Sequence, residues 1–158
     1  MEDFVRSEFA VSWWGLLGST DLAELAEAHG LRIGLLLHPY LQPLTRQLSL
    51  PPHVVALEYE GKDVRDTFAH ARVLVTDYSS TAFNAAYIDR PVVYFQFDRQ
   101  RVLSGDHLGR PGYFDYERDG FGPVATSLEE AEAAVRATVL AGPHPLPPYA
   151  DRAAEAFT

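Results

Sequence analysis

The chain has no cysteine, one methionine and a single lysine, Lys62, among its 158 residues. Without thiols there is no disulfide and no thiolate metal site, and a reducing compartment fits that usage. Basic charge rests almost wholly on arginine, which speaks of a GC-rich genome rather than of function. Positive charge is also scarce overall. Lys and Arg number 13 against 22 Asp and Glu, a net charge of -9, which argues against a nucleic-acid surface with its basic patch. No apolar stretch approaches the roughly 18 residues of a membrane span, and Met1-Glu2-Asp3-Phe4 lacks a signal peptide's basic start. A cytoplasmic chain is the expectation. GxGxxG, GxxxxGK[ST] and GxSxG are missing, which counts against dinucleotide binding, the P-loop and the hydrolase elbow. With neither HExxH nor HxH spacing among the histidines, no metal site is expected.

What is present reads as one soluble domain: 47% hydrophobic and 22% charged residues over a length that buries a real core. Helical spacing predicts a helix over Ser7–Leu17, and Asp21-Leu-Ala-Glu24 looks like a capping box for a second that Gly30 stops. Continuous apolar runs mark strands at Ile33–Leu37, Val54–Leu57, Val73–Val75 and Val92–Phe95, with a short one at Val124–Thr126. Between them lie helices at Leu41–Leu48, Lys62–Ala71 and Thr81–Ile88, the last with a thin face of Ala82, Ala85 and Ala86. Ser127-Leu-Glu-Glu130 caps a helix that runs to Gly142, and the last ten residues begin another. Residues 97–121 read as one long Gly- and aromatic-rich loop. Apolar rather than alternating strands, interleaved with helices, describe a parallel sheet covered on both faces.

In such a sheet ligands sit at the carboxyl ends of the strands. His38, Glu58, Asp77 to Thr81 and Gln96 to Asp98 fall there, expected on one rim. The turn Asp77-Tyr78-Ser79-Ser80-Thr81 is the strongest candidate. It opens a helix with no Glu or Gln at the third position, so no capping box consumes the first N–H groups. Those donors and three hydroxyls suit phosphate oxygens; the plainer alternative is that Ser79 only caps the helix. His38 emerges after Leu35-Leu36-Leu37 and could donate to a phosphate or act as an acid, or simply pack or cap. In Gly109-Arg-Pro-Gly-Tyr-Phe-Asp-Tyr-Glu-Arg-Asp-Gly-Phe-Gly-Pro123, Arg110 or Arg118 and the aromatics could close over an anionic ligand, or the rings could only pin the loop.

Three motifs, "LLLHP", "KDVRDTFAHARVLVTDYSSTAFNAAYIDRPVVYFQFD" and "GYFDYERDGFGPV", resemble the CDP-glycerol glycerophosphotransferase family of teichoic-acid polymerases and primases across residues 7 to 157. The resemblance implies a GT-B transferase of two Rossmann-like halves. Residues 1–158 correspond to the C-terminal, nucleotide-binding half, a single Rossmann-like domain, and the half with the presumed base is absent. It implies that His38 and Pro39 handle the donor diphosphate, with Asp77, Tyr78, Ser79, Ser80 and Thr81 at the phosphates. Glu58 and Lys62 fall near the nucleotide base, and Asp98 and Arg110 join the binding set. Asn84 stands where the family often has Asp.

The donor implied is CDP-glycerol or another CDP-polyol, with no further cofactor and no nucleic acid. The acceptor, a cell-wall polymer or lipid-linked chain, would be met through the missing half, which would place the protein at the inner membrane face. The chain alone is then expected to be inactive. Two other readings stay open: a GT-B glycosyltransferase domain using a UDP- or GDP-sugar, and a nucleotide-binding module without activity. The stretch "SEFAVSWWGLL" resembles the segment after a central strand of the family's sheet. A gap in place of that strand would be closed by direct pairing, by N-terminal residues or by a second copy, and a homo-oligomer is the expectation.

Overall fold

The computed structural model describes residues 6–45, 47–59, 64–104 and 114–158, and the chain divides into two compact units, Met1–Thr67 and Phe68–Thr158. In the first, the Ser7 hydroxyl accepts from the Ala10 N–H at 3.1 Å and starts helix α1, Glu8–Leu17. Helix α2, Thr20–Ala28, is capped by Ser19, which accepts from Leu22 N–H at 3.3 Å. The expected box at Asp21 is not the cap, because Asp21 already lies within the first turn. Gly30, at φ 63°, takes the left-handed conformation that releases the chain.

Strand β1, Ile33–Leu36, then runs parallel to β2, Val54–Leu57, in register from Ile33 opposite Val54 to Leu36 opposite Leu57. Where the sequence suggests one helix over Leu41–Leu48, there is a 3₁₀ turn, Pro39–Leu41, and then α3, Gln42–Thr45. Pro43 has no N–H to bond the Pro39 carbonyl four residues back. The Gln42 N–H takes that carbonyl instead, in the tighter 3₁₀ pattern.

Helix α4, Val64–Ala69, precedes the three-stranded sheet of the second unit: β3, Leu74–Thr76; β4, Val92–Phe95; and β5, Val124–Ala125, all parallel in that order. Helix α5, Thr81–Tyr87, makes the β3–β4 crossover. Its face of Ala82, Ala85 and Ala86 lies in the core with Val92, Tyr94, Phe121 and Ala153, as its small side chains suggest. The long loop after β4 holds a helix of its own, α6, Arg99–Leu103. Ser127 caps α7, Leu128–Ala141, and Glu130 reaches back one residue beyond the cap to bond the Thr126 N–H at 2.7 Å. The last helix is α8, Tyr149–Ala156. Arg72 donates from Nη2 to the Val139 carbonyl at 2.8 Å, placing a cation at the carboxyl end of α7.

The class is α/β with parallel strands and flanking helices. Where the sequence suggests a single sheet, the strands of the described residues pair as two, β1–β2 and β3–β4–β5. Apolar runs mark where strands are, whereas their partners are a long-range choice that no run encodes. Among the described residues no helix is long and apolar enough to cross a membrane.

Strand β4 is the centre of the second unit, with Val92, Val93, Tyr94 and Phe95 each no more than 1% exposed. The chain returns against it through Gly122, where a Cβ would stand 1.7 Å from the Val92 carbonyl oxygen. Gly122→Ala should therefore destabilise the protein by about 3 kcal/mol, since backbone must shift. Gly30→Ala, with open space around it but φ 63°, should cost about 1–2 kcal/mol from the dihedral alone. Urea unfolding of both variants checks the ranking.

Candidate functional site

The turn that leaves β3 is organised by its own side chains. Asp77 Oδ1 accepts from the Ser79 N–H at 3.1 Å, and Ser79 Oγ accepts from the Thr81 N–H at 3.3 Å and from the Thr81 hydroxyl at 3.0 Å. The Ala82 and Phe83 N–H groups bond the Ser79 and Ser80 carbonyls at 3.3 and 3.0 Å. The expectation of unconsumed N–H donors at this helix start is thus corrected. Ser79, rather than a Glu or Gln further on, satisfies the Thr81 N–H, backbone carbonyls take those of Ala82 and Phe83, and Asp77 takes the Ser79 N–H just ahead of the cap. What remains for a ligand is different and still useful. Ser79 Oγ, accepting twice, keeps its own proton to donate, and the exposed Ser80 makes no capping bond. The turn can present hydroxyl donors to an anion. The Asp77 carboxylate stands beside them and would have to turn away from a phosphate.

Behind the turn lies a tyrosine cluster. The Tyr78 hydroxyl donates to Asp98 Oδ1 at 3.0 Å, and Tyr116 donates to the Tyr78 carbonyl at 3.2 Å. Gln96, fully buried, donates from Nε2 to the Asp77 carbonyl at 3.4 Å. Burial, reinforced by the bond to Asp98, pushes the Tyr78 hydroxyl far up, and burial raises Tyr94 to about 12 and Tyr116 as well. All three stay protonated at neutral pH. Asp98 therefore spends one carboxylate oxygen on Tyr78 and lies 3.8 Å from Arg101. Asn84 is exposed on α5.

His38, in the other unit, is exposed just past the end of β1. Its Nδ1 accepts from the Tyr40 N–H at 3.4 Å and its ring stacks on Tyr40 at 5.2 Å. The capping alternative is what the geometry shows, yet it leaves Nε2 carrying the proton of the neutral ring, free to donate outward. Pro39 begins the 3₁₀ turn and Glu58 is exposed directly after β2. Lys62 and Arg110 lie outside the described residues.

Residues 114–121 turn out to be a self-bonded brace. Asp115 Oδ1 accepts from the Glu117 and Arg118 N–H groups, both at 2.9 Å, and Asp119 Oδ2 accepts from the Asp115 N–H at 2.9 Å. Arg118 is paired with Asp119 at 2.6 Å, and Arg99 with Glu117 at 2.6 Å. Arg118, one of the two arginines expected to face a ligand, is thus engaged within the loop. Phe114, Tyr116 and Phe121 pack on the core, so the pinning alternative describes this part of the motif. Sequence reasoning missed Gln96 and Tyr116 as partners of the turn. The signal was a polar residue closing an otherwise apolar strand.

A family model described as CDP-glycerol:poly(glycerophosphate) glycerophosphotransferase matches residues 15–139. The minor teichoic acid biosynthesis protein GgaB of Bacillus subtilis is 28% identical over 121 residues, 77% of this chain and 13% of that protein. The teichoic acid poly(glycerol phosphate) polymerase of the same organism is 35% identical over 75 residues, 48% of this chain and 10% of that one. The chain thus spans a small fraction of these relatives. Among solved structures, the wall teichoic acid polymerase TagF, in a variant with CDPG, superposes with a TM-score of 0.55 at 19% identity, over 90% of this chain and 35% of that one. That likeness is one of fold.

The bonds from Arg118 and from the Asp115 N–H hold the Asp119 carboxyl down at about 2. A carboxylate depressed below its ordinary value of about 3.9 stabilises the folded state above that value, and the stabilisation is lost as pH falls from there through about 2. Asp119→Asn should therefore melt below the wild type at neutral pH, with the gap closing between about pH 4 and about pH 2. Melting curves across that range check it.

Proposed function

The chain belongs to the CDP-glycerol:poly(glycerophosphate) glycerophosphotransferase family, and from that premise we propose that it is the donor-nucleotide domain of a polyol-phosphate transferase acting on a teichoic-acid-like polymer. The donor is CDP-glycerol or a related CDP-alcohol, with its diphosphate against the Asp77–Thr81 turn. The observation that carries this reading is the pattern of bonds there. Ser79 accepts twice and Ser80 makes no capping bond, so two hydroxyl protons are available to phosphate oxygens at a strand's carboxyl end. His38, through Nε2, is a second proposed phosphate donor, with Pro39 setting the turn it caps. Glu58 and Lys62 are proposed near the base, and Asn84, Asp98 and Arg110 complete the proposed set.

In the reaction a hydroxyl of the acceptor attacks the β-phosphorus. The new O–P bond forms as the bond to the bridging oxygen breaks, CMP leaves, and the acceptor's proton passes to a base. Positioning and charge stabilisation are what such a step asks of its site. In this proposal the turn's hydroxyl donors supply both to the donor's phosphates as CMP leaves. Because the chain matches only 13% and 10% of the two Bacillus subtilis relatives, acceptor binding and the base are proposed to need more than the matched region, and the chain alone should not transfer glycerophosphate. A cytoplasmic setting at the inner membrane face, and self-association through the open edges of the two sheets, belong to the same proposal. Sedimentation velocity tests the latter, where a strict monomer at high concentration would exclude it.

CDP should bind more tightly than CMP, by on the order of 1.5–3 kcal/mol for each charge-assisted bond to the second phosphate. Calorimetry with CDP, CMP, UDP and GDP reads this directly. Equal affinities for CMP and CDP would sink the assignment, and preference for UDP or GDP would favour a sugar-nucleotide donor. His38→Ala should weaken CDP with an unchanged melting temperature, because the ring is exposed.

A further inference from the structure

Two consecutive carbonyls of the turn are held from behind by side chains of other segments. Gln96 Nε2, one residue past β4, bonds the Asp77 carbonyl at 3.4 Å, and the Tyr116 hydroxyl, in the loop before β5, bonds the Tyr78 carbonyl at 3.2 Å. In a trans peptide the C=O and N–H point opposite ways. Fixing these carbonyls therefore fixes where the Tyr78 and Ser79 N–H groups point. The Tyr78 side chain is itself tied down, by its hydroxyl bond to Asp98 at 3.0 Å.

Neither holder is free to swing. The Tyr116 ring stands edge-on to Tyr78 at 5.7 Å and to Tyr94 at 5.1 Å. Its loop is set by Gly120, where a Cβ would lie 2.1 Å from the Tyr116 carbonyl oxygen and 3.2 Å from the Tyr94 ring. Gln96 is wholly buried, and its Oε1 has no partner among the described residues. A leucine there would avoid that unsatisfied acceptor. A polar side chain kept at such a cost, with its one bond on the turn, is what positioning requires.

We propose that Gln96 and Tyr116 are positioning residues for the donor diphosphate: by gripping the Asp77 and Tyr78 carbonyls they set the peptide planes from which Ser79 to Thr81 meet the second phosphate. The inference rests on the reading of this turn as the diphosphate site.

Tyr116→Phe and Gln96→Leu, in the full chain, test it with two readouts. Without nucleotide, the Ser79 and Thr81 amides should exchange about tenfold faster than in wild type, with β4 amides unchanged. With nucleotide, the ratio of CDP to CMP affinity should fall about fivefold while CMP affinity holds, the effect of one misplaced hydrogen bond. Unchanged exchange at the turn in both variants overturns the brace whatever binds there. Parallel weakening of CMP and CDP, with faster exchange in β4 and a lower melting temperature, overturns it in favour of a purely structural role. A wild type that does not distinguish CDP from CMP refutes the diphosphate reading itself, a failure recognised in the unsubstituted chain and separate from either variant.

Discussion

A strand with no residue more than 1% exposed, as in β4, must bond every backbone donor and acceptor within the protein, because no water reaches them. Its neighbours meet that demand on both sides. Parallel partners β3 and β5 take the ladder, with the Tyr94 N–H on the Pro123 carbonyl at 2.9 Å and the Gln96 N–H on Ala125 at 2.8 Å. The faces demand close approach too. An alanine stripe on α5 and the absence of a Cβ at Gly122 let backbone come within contact distance. The turn after β3 and the loop before β5 both hang from this strand. Their separation is therefore fixed by packing that leaves little room for adjustment.

That rigidity matters for a turn whose polar groups are largely occupied by one another. Under the proposed reading, an anion would meet the unspent hydroxyl protons of Ser79 and Ser80 and exchange their bonds to water for stronger, charge-assisted ones. The net gain then depends on geometry, since a donor displaced by a fraction of an ångström gains little over the bond it gave up. That is where the positioning role proposed for Gln96 and Tyr116 would act. The loop carrying Tyr116 is held by Asp115 and Asp119 within itself and by Arg152, which donates to the Gly120 carbonyl at 3.0 Å.

Much of the second unit was legible from residue type. Val92–Phe95 reads as a strand because four apolar residues end at Gln96 and begin at a proline, and Ala82, Ala85 and Ala86 read as a close-packing face. Ser127 and Glu130 read as a cap, displaced by one residue at the Glu130 end. Helix α6 was not legible, as five residues without a capping bond depend on tertiary contacts such as Arg99 with Glu117. Ser19 and Asp21 are both good caps, and only the backbone path decides between them. At the candidate site the residues were legible but their bonds were not. Which hydroxyl accepts from which N–H is settled by rotamers and backbone angles. The role of Gln96 and Tyr116 required knowing which segments flank the turn.

Both tryptophans, Trp13 and Trp14, sit on α1 in the first unit, while the interlocked rings of Tyr78, Tyr94 and Tyr116 belong to the second. The two units consequently carry separate optical signatures. Indole emission excited at the red edge of the absorption band originates in the first unit alone. The near-ultraviolet dichroism of tyrosines held in fixed edge-to-face geometry originates largely in the second. A melt tracked by both signals at once distinguishes a chain that unfolds as one cooperative body from one whose units part company, since coincident transitions are the signature of the former.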